Sequence, residues 1–340
     1  MRKYESLLAR IEALESQLSE SLTTHKEQAS EMVSHMQNIE KRIDEVAAEV
    51  QSINSGMKKH VKKLNTQLQL VEKKALRIQQ QPYLSYFVLN ILDHCNLNCI
   101  GCDHFAPLAQ ERFVALEDIK SDLQQMSLLT KGKVGRIGIM GGEPLLHPNL
   151  PEILPVARKA FPETIIQVVS NGLLLLKQTD EFWNICKKHD ITIVVTKYPL
   201  NLDHDKMLET ANAWQVKFQF KGNTGTAQKT SCKAPLDIEG LQDPKQSFWN
   251  CYHVNTCPFV MEGKIYPCTI APNIDLFNQK FGTSLNLEEG DYLDIYRVKD
   301  YRVLLAFLST PKPFCRYCRT KDRTFGHPWE RSKQDVGEWI

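Results

Sequence analysis

Cys95-Asn96-Leu97-Asn98-Cys99-Ile100-Gly101-Cys102 follows, after Asp93 and His94, the apolar run Tyr86-Phe87-Val88-Leu89-Asn90-Ile91-Leu92. A strand that feeds a loop with three cysteines inside eight residues sets three thiolates where they can grip three corners of one metal cluster. No fourth ligand completes that pattern, so one metal corner stays open. An iron–sulfur cluster with an open iron is a site for chemistry rather than a simple electron carrier. Zinc is the alternative reading, but tetrahedral zinc needs a fourth donor, and only His94 and His104 stand close by in sequence. Further on, a second strand-like run, Arg136-Ile137-Gly138-Ile139-Met140, ends in Gly141-Gly142-Glu143-Pro144.

Between residues 83 and 245, strand-like and helical runs alternate. The strands are Tyr86–Leu92, Ile137–Met140, Thr164–Val169, Ile191–Val195 and Val216–Phe220, with helical stretches between them. Such a βαβα order predicts an α/β fold with a parallel sheet joined by right-handed crossovers. The chemistry-bearing residues fall just after the carboxyl ends of strands, the edge where parallel α/β folds place their sites.

The CxxxCxxC loop and the GGEP turn together resemble the radical S-adenosylmethionine (SAM) superfamily. That resemblance implies a partial (β/α)6 barrel over residues 83–245. It implies that Cys95, Cys99 and Cys102 hold a [4Fe–4S] cluster whose open iron takes the amino and carboxylate groups of SAM. Gly141, Gly142 and Glu143 would hold the SAM amino group. Ser170 and Asn171, after the third strand, would meet its ribose or carboxylate, and Lys197, after the fourth, its carboxylate. An electron from a reductant such as flavodoxin or ferredoxin would release a 5′-deoxyadenosyl radical that takes hydrogen from a C–H bond. One departure stands out: the family's aromatic residue before the third cysteine is replaced by Gly101, leaving Phe105 or His104 to meet adenine.

Residues 1–80 read differently. Leu7, Ile11, Leu14 and Leu18, then Met32, Met36, Ile39, Ile43, Val46, Val50, Ile53 and Met57, alternate in steps of four and three. This is the seam of a left-handed coiled coil, so the segment calls for a partner helix, with a homo-oligomer as the first expectation. The register slips near Leu22 and Val61, and Gly56 is a weak point. Gln79-Gln80-Gln81-Pro82 ends the helix.

Residues 246–325 gather five more cysteines, Cys251, Cys257, Cys268, Cys315 and Cys318, with Gly263-Lys264-Ile265-Tyr266-Pro267-Cys268 reading as a hairpin. The pattern resembles the short, twitch form of the SPASM/twitch extension, which implies one auxiliary [4Fe–4S] cluster. Cys251, Cys268, Cys315 and Cys318 are its expected ligands, with Cys257 as the alternative to Cys251; four-cysteine zinc is the competing reading. Cys186 falls in a helical pattern and reads as core. Cys232 follows the glycine- and threonine-rich stretch Gly222–Ser231, read as a loop over the site's mouth, and Cys232 and Cys257 are the candidate hydrogen-atom donors to a substrate radical. Arg316, Arg319, Lys321 and Arg323 crowd the last cysteine pair, either as a solvated surface or as a phosphate clamp. Residues 326–340, with Trp329 and Trp339, form a tail that either folds back over the barrel or stays loose.

The bulk numbers fit this division. A chain of 340 residues with 42% apolar and 24% charged residues is globular with room for several domains. A formal charge of +2 leaves no footprint of nucleic-acid binding, and no stretch is apolar enough to span a membrane. Metal-type cysteine spacing without a secretory signal argues for a cytoplasmic protein. The run from Cys95 to Ala109, with His104-Phe105-Ala106-Pro107-Leu108-Ala109 after the cysteines, resembles enzymes of bacterial surface-polysaccharide pathways, which implies a sugar or nucleotide-sugar substrate, oxidised or epimerised. Peptide maturation is the second enzymatic reading, and a metal-stabilised scaffold the non-enzymatic one.

Overall fold

A computed structural model describes residues 2–221 and 228–340, so most of the stretch read as a mouth loop lies outside the described residues. The chain divides into two units, Met1–Glu72 and Lys73–Ile340. Helix α1 (Arg2–Ile78) runs unbroken through Leu22, Gly56 and Val61, where the heptad register slips. Its seam residues Leu14, Met36, Ile43 and Ile53 are all exposed. The helix stops ahead of Pro82, as the proline rule requires. No helix among the described residues is long and apolar enough to cross a membrane.

The second unit is built on a sheet. Its strands and helices begin as β1 (Tyr86–Asn90), α2 (Leu116–Thr130), β2 (Arg136–Met140), α3 (Leu150–Ala160), β3 (Ile165–Ser170), α4 (Asp180–Lys188), β4 (Ile191–Val195), α5 (His204–Ala213) and β5 (Lys217–Phe220). These five strands pair in parallel, β1 with β2, β2 with β3, and so on to β5. Near-continuous apolar runs such as Ile191-Thr192-Ile193-Val194-Val195 suit strands with protein against both faces. The helices present matching stripes: Ile119, Leu123 and Met126 of α2, and Leu150, Ile153, Leu154 and Ala157 of α3, are buried. Thr179 caps α4 by accepting the Phe182 N–H at 3.3 Å.

The later elements are β6 (Ser231–Lys233), α6 (Pro244–Asn250), β7 (Phe259–Met261), β8 (Lys264–Tyr266), α7 (Ile274–Phe281), β9 (Leu293–Asp294), α8 (Tyr301–Leu308) and β10 (Thr324–His327). A sixth parallel strand does exist, but it is β7, added to the free edge of β1 with Val88 opposite Phe259. The sheet order is β5-β4-β3-β2-β1-β7-β8-β9, with β8 and β9 antiparallel. The segments 83–245 and 246–325, read as two domains, therefore share one sheet. An open edge on β1 leaves backbone donors and acceptors unpaired, and the apolar Phe259-Val260-Met261 satisfies them.

The tail is ordered and integral. Strand β10 pairs with β6, Cys99 bridges to Arg331, and the Ile100 N–H donates to Glu330 O at 3.0 Å. Trp339 is 3% exposed and packs on Phe105, Phe277 and Phe281, while its indole N–H donates to the Cys102 carbonyl at 3.1 Å.

Candidate active site

A cavity of about 730 Å³ opens at the carboxyl edge of the parallel strands. Cys95, Cys99 and Cys102 line it from the loop after β1, and Gly141, Gly142 and Glu143 from the end of β2. The two segments are zipped together: Gly142 N–H donates to Leu92 O at 2.9 Å and Glu143 N–H to His94 O at 3.1 Å. Only glycine allows this approach. A Cβ on Gly141 would stand 2.1 Å from Leu92 O, and one on Gly142 would stand 1.7 Å from His94 O.

Burial pushes the Cys95 thiol up to about 11 and the Cys102 thiol up to about 12, so ligation here must release protons. Ser170 and Asn171 also line the cavity, and they grip Glu143. Ser170 Oγ donates to Glu143 Oε1 at 2.7 Å, and the Asn171 N–H to Oε2 at 2.8 Å. Burial raises the Glu143 carboxyl to about 7 despite these donors. Asn171 Nδ2 donates to Asn96 Oδ1 at 2.8 Å, which ties the third strand's exit to the cysteine loop.

Lys197 stands apart from the other residues expected to meet SAM. Its ammonium lies over the Phe220 ring, 4.1 Å from the centroid, and it does not line the cavity. Thr196 and Tyr198 do. Side chains alternate along an extended chain, so Lys197 takes the opposite direction from its two neighbours. The Tyr198 hydroxyl reaches the cysteine triad, and burial raises its pKa. The place of the missing aromatic is also clear. Gly101 has φ +59°, and a Cβ there would meet the Cys232 carbonyl at 3.2 Å. Phe105 is buried in the core against Phe277, whereas His104 lines the cavity, held neutral because burial lowers its pKa to about 4.

The extension closes the cavity with Tyr252, His253, Cys257 and Thr269. Cys251, directly after α6, does not line the cavity, although it acts electrostatically on Cys257. Cys251, Cys268 and Cys315 each act electrostatically on Cys318, which burial raises first and these neighbours raise further. Cys257 instead faces the cavity, with Lys221 as its largest charged neighbour, and burial lifts its thiol to about 11. Cys232, in β6, also lines the cavity. Cys186 is wholly buried in the core. No three His, Cys, Asp or Glu side chains among the described residues close on a single point as a lone metal ion needs. A cluster, whose irons keep its thiolates apart, makes no such demand.

Sequence reasoning missed the network that joins the two cysteine-bearing loops. Asp103, next to Cys102, accepts from Tyr252 Oη at 2.7 Å and faces His253 Nε2 at 3.1 Å. Burial alone would raise Asp103, but His253, Arg323 and Tyr252 hold it well below the usual carboxylate range. The basic group near the last cysteines is largely spent on partners. Arg316 pairs with Glu288, Arg319 with Asp322, and Arg323 stacks over Tyr252 while facing Asp103. None of these lines the cavity, which disfavours the phosphate clamp read from sequence.

These features define a SAM-type edge on a parallel sheet, and residues 89–205 match the Radical SAM superfamily. The chain thus carries a radical SAM domain, which implies a [4Fe–4S] cluster and SAM as cofactors. The thiol triad and the glycine cradle against Leu92 and His94 fit that pair.

Among individual relatives, GTP 3',8-cyclase of Chlorobaculum tepidum is 32% identical over 98 residues, which is 28% of either chain. That of Trichodesmium erythraeum is 31% identical over 105 residues, covering 29% of this chain and 31% of the relative. The chain therefore spans less than a third of the length of these relatives. Of solved structures, BtrN in complex with AdoMet and 2-DOIA aligns with 71% of this chain and 94% of its own, at 16% identity and a TM-score of 0.45. Streptococcus suis SuiB bound to S-adenosylmethionine aligns with 45% of this chain and 38% of its own, at 20% identity and a TM-score of 0.34.

Proposed function

We propose that the protein is a radical SAM enzyme that abstracts hydrogen from a sugar or nucleotide-sugar and epimerises or oxidises it. One observation carries this reading: the cysteine triad, the Gly141–Glu143 edge and two further thiols, Cys232 and Cys257, line one cavity. When bound, the cluster and SAM supply a 5′-deoxyadenosyl radical that takes a hydrogen atom from a C–H bond.

The chain's own residues do the rest. Glu143, steadied by Ser170 and Asn171, holds the SAM amino group. Thr196, Tyr198 and Trp329 wall the chamber, and the tail strapped across the cysteine loop keeps water out. In an epimerisation Cys257 or Cys232 would give the hydrogen atom of its S–H to the substrate carbon, and the thiyl radical left behind would be returned to the thiol by one electron from an electron-transfer protein and a proton from solvent. In an oxidation the carbinol radical would lose a proton to solvent, and an auxiliary [4Fe–4S] cluster, which Cys251, Cys268, Cys315 and Cys318 would hold, would accept the second electron. Cys257 faces the cavity and so is better suited to the donor role than to a ligand role. A small electron-transfer protein such as flavodoxin or ferredoxin supplies the reducing electron.

Reaction in heavy water separates the outcomes. Epimerisation places solvent deuterium in the product, and Cys257→Ala or Cys232→Ala abolishes it. Product with no deuterium and a carbonyl in place of the alcohol means oxidation. A reconstituted protein that never binds or cleaves SAM contradicts both.

A further inference from the structure

We infer that the cavity seats an oxyanion of the substrate, a phosphate or carboxylate group, on Arg136, Lys221 and Lys229. The role of this site as a substrate anchor rests on the radical SAM reading above, whereas anion binding itself does not.

All three cations line the cavity. The Arg136 guanidinium, from the first residue of β2, lies over the Tyr86 ring, 4.7 Å from its centroid. That ring has room because residue 138 is glycine; a Cβ there would stand 2.2 Å from the Tyr86 hydroxyl. Lys221 follows β5 directly, and its N–H donates to Val195 O at 2.8 Å. Lys229 is pinned beside it, its N–H donating to Lys197 O at 2.6 Å.

No described carboxylate forms an ion pair with Arg136, Lys221 or Lys229. The carboxylates that line the cavity, Glu143 and Asp103, are committed elsewhere, the first to Ser170 and Asn171 and the second to Tyr252 and His253. Lys221 exposes its surface to the cavity yet is surrounded by protein, so burial lowers its pKa, and the nearby Lys229 and Arg136 charges lower it further. Crowded like charges in a protein environment are unfavourable until an anion joins them. Two lysines and an arginine fork that line one cavity from three segments supply the donors that oxyanions bind.

The test titrates inorganic phosphate and, separately, acetate into the reconstituted full chain at low ionic strength, read by calorimetry. A saturable site is expected, weakened about tenfold by Lys221→Gln or Arg136→Gln. Lys221→Arg retains it, and Arg319→Gln, whose arginine is paired outside the cavity, does not alter it. Preference for phosphate assigns a phosphate ester, and preference for acetate a carboxylate. No saturable binding of either anion, or binding that the Gln variants leave unchanged while circular dichroism reports a native fold, overturns the site. SAM binding, measured on the same preparations, reports separately: a protein that binds phosphate but never SAM keeps the anion site and loses the radical SAM role.

Discussion

Glu143 is the buried carboxyl through which the proposed SAM site would respond to pH. Its folded pKa of about 7 lies above the ordinary 4.5, so the folded chain holds a proton that the unfolded chain has lost. Its contribution to stability is therefore complete below 4.5 and is lost as pH rises to about 7. A SAM ammonium or amine beside it favours the ionised carboxylate. SAM affinity should then rise between about pH 6 and about pH 8, a slope that Glu143→Gln flattens; calorimetric titration at several pH values checks this. Asn171→Ala removes the tie to Asn96 and should weaken SAM binding by roughly tenfold with little change in melting temperature. At this scale the cysteine triad and GGEP were legible because contiguous residues build them. The direction of the Lys197 side chain was not legible, because it follows the alternation of extended chain, which the motif does not encode. Lys221 was not legible in this way either: Gln219, Phe220 and Lys221 all line the cavity, so alternation does not single it out.

Elements meet where only backbone fits between them. Gly142→Ala forces a Cβ onto the His94 carbonyl, so the end of β2 must part from the cysteine loop. Iron content after reconstitution should fall by about four per chain, while far-ultraviolet circular dichroism keeps its helical signal. Trp339→Ala removes a side chain that anchors the tail to the core and to Cys102. The expected loss is about 3–5 kcal/mol, read by chemical denaturation. The five strands and their helices were readable from hydrophobic period. The docking of β7 on β1 was not, because three apolar residues carry no period and their partner lies far away in sequence. The ordered tail was equally hidden: β10, with Phe325 exposed, has no core-facing signature, and its hydrogen bonds to β6 are backbone bonds.

On the scale of the whole molecule, the seam residues of α1 are exposed, and the heptad reading of the sequence predicts assembly through a second copy of the helix. Ile43→Glu with Val46→Glu should shift the mass found by sedimentation equilibrium to that of one chain and leave iron content unchanged. The larger claim is that one sheet carries two cluster-binding cysteine sets, Cys95, Cys99 and Cys102 on one loop and Cys251, Cys268, Cys315 and Cys318 on the extension. Iron, sulfide and zinc per chain after anaerobic reconstitution test this most directly, in the native chain and in the Cys95/Cys99/Cys102→Ala variant. The account predicts about eight irons in the first and about four in the second, with no zinc in either. About four irons falling to none, with zinc retained, would make the extension a structural zinc site, and a protein with no iron at all would contradict the account at its root.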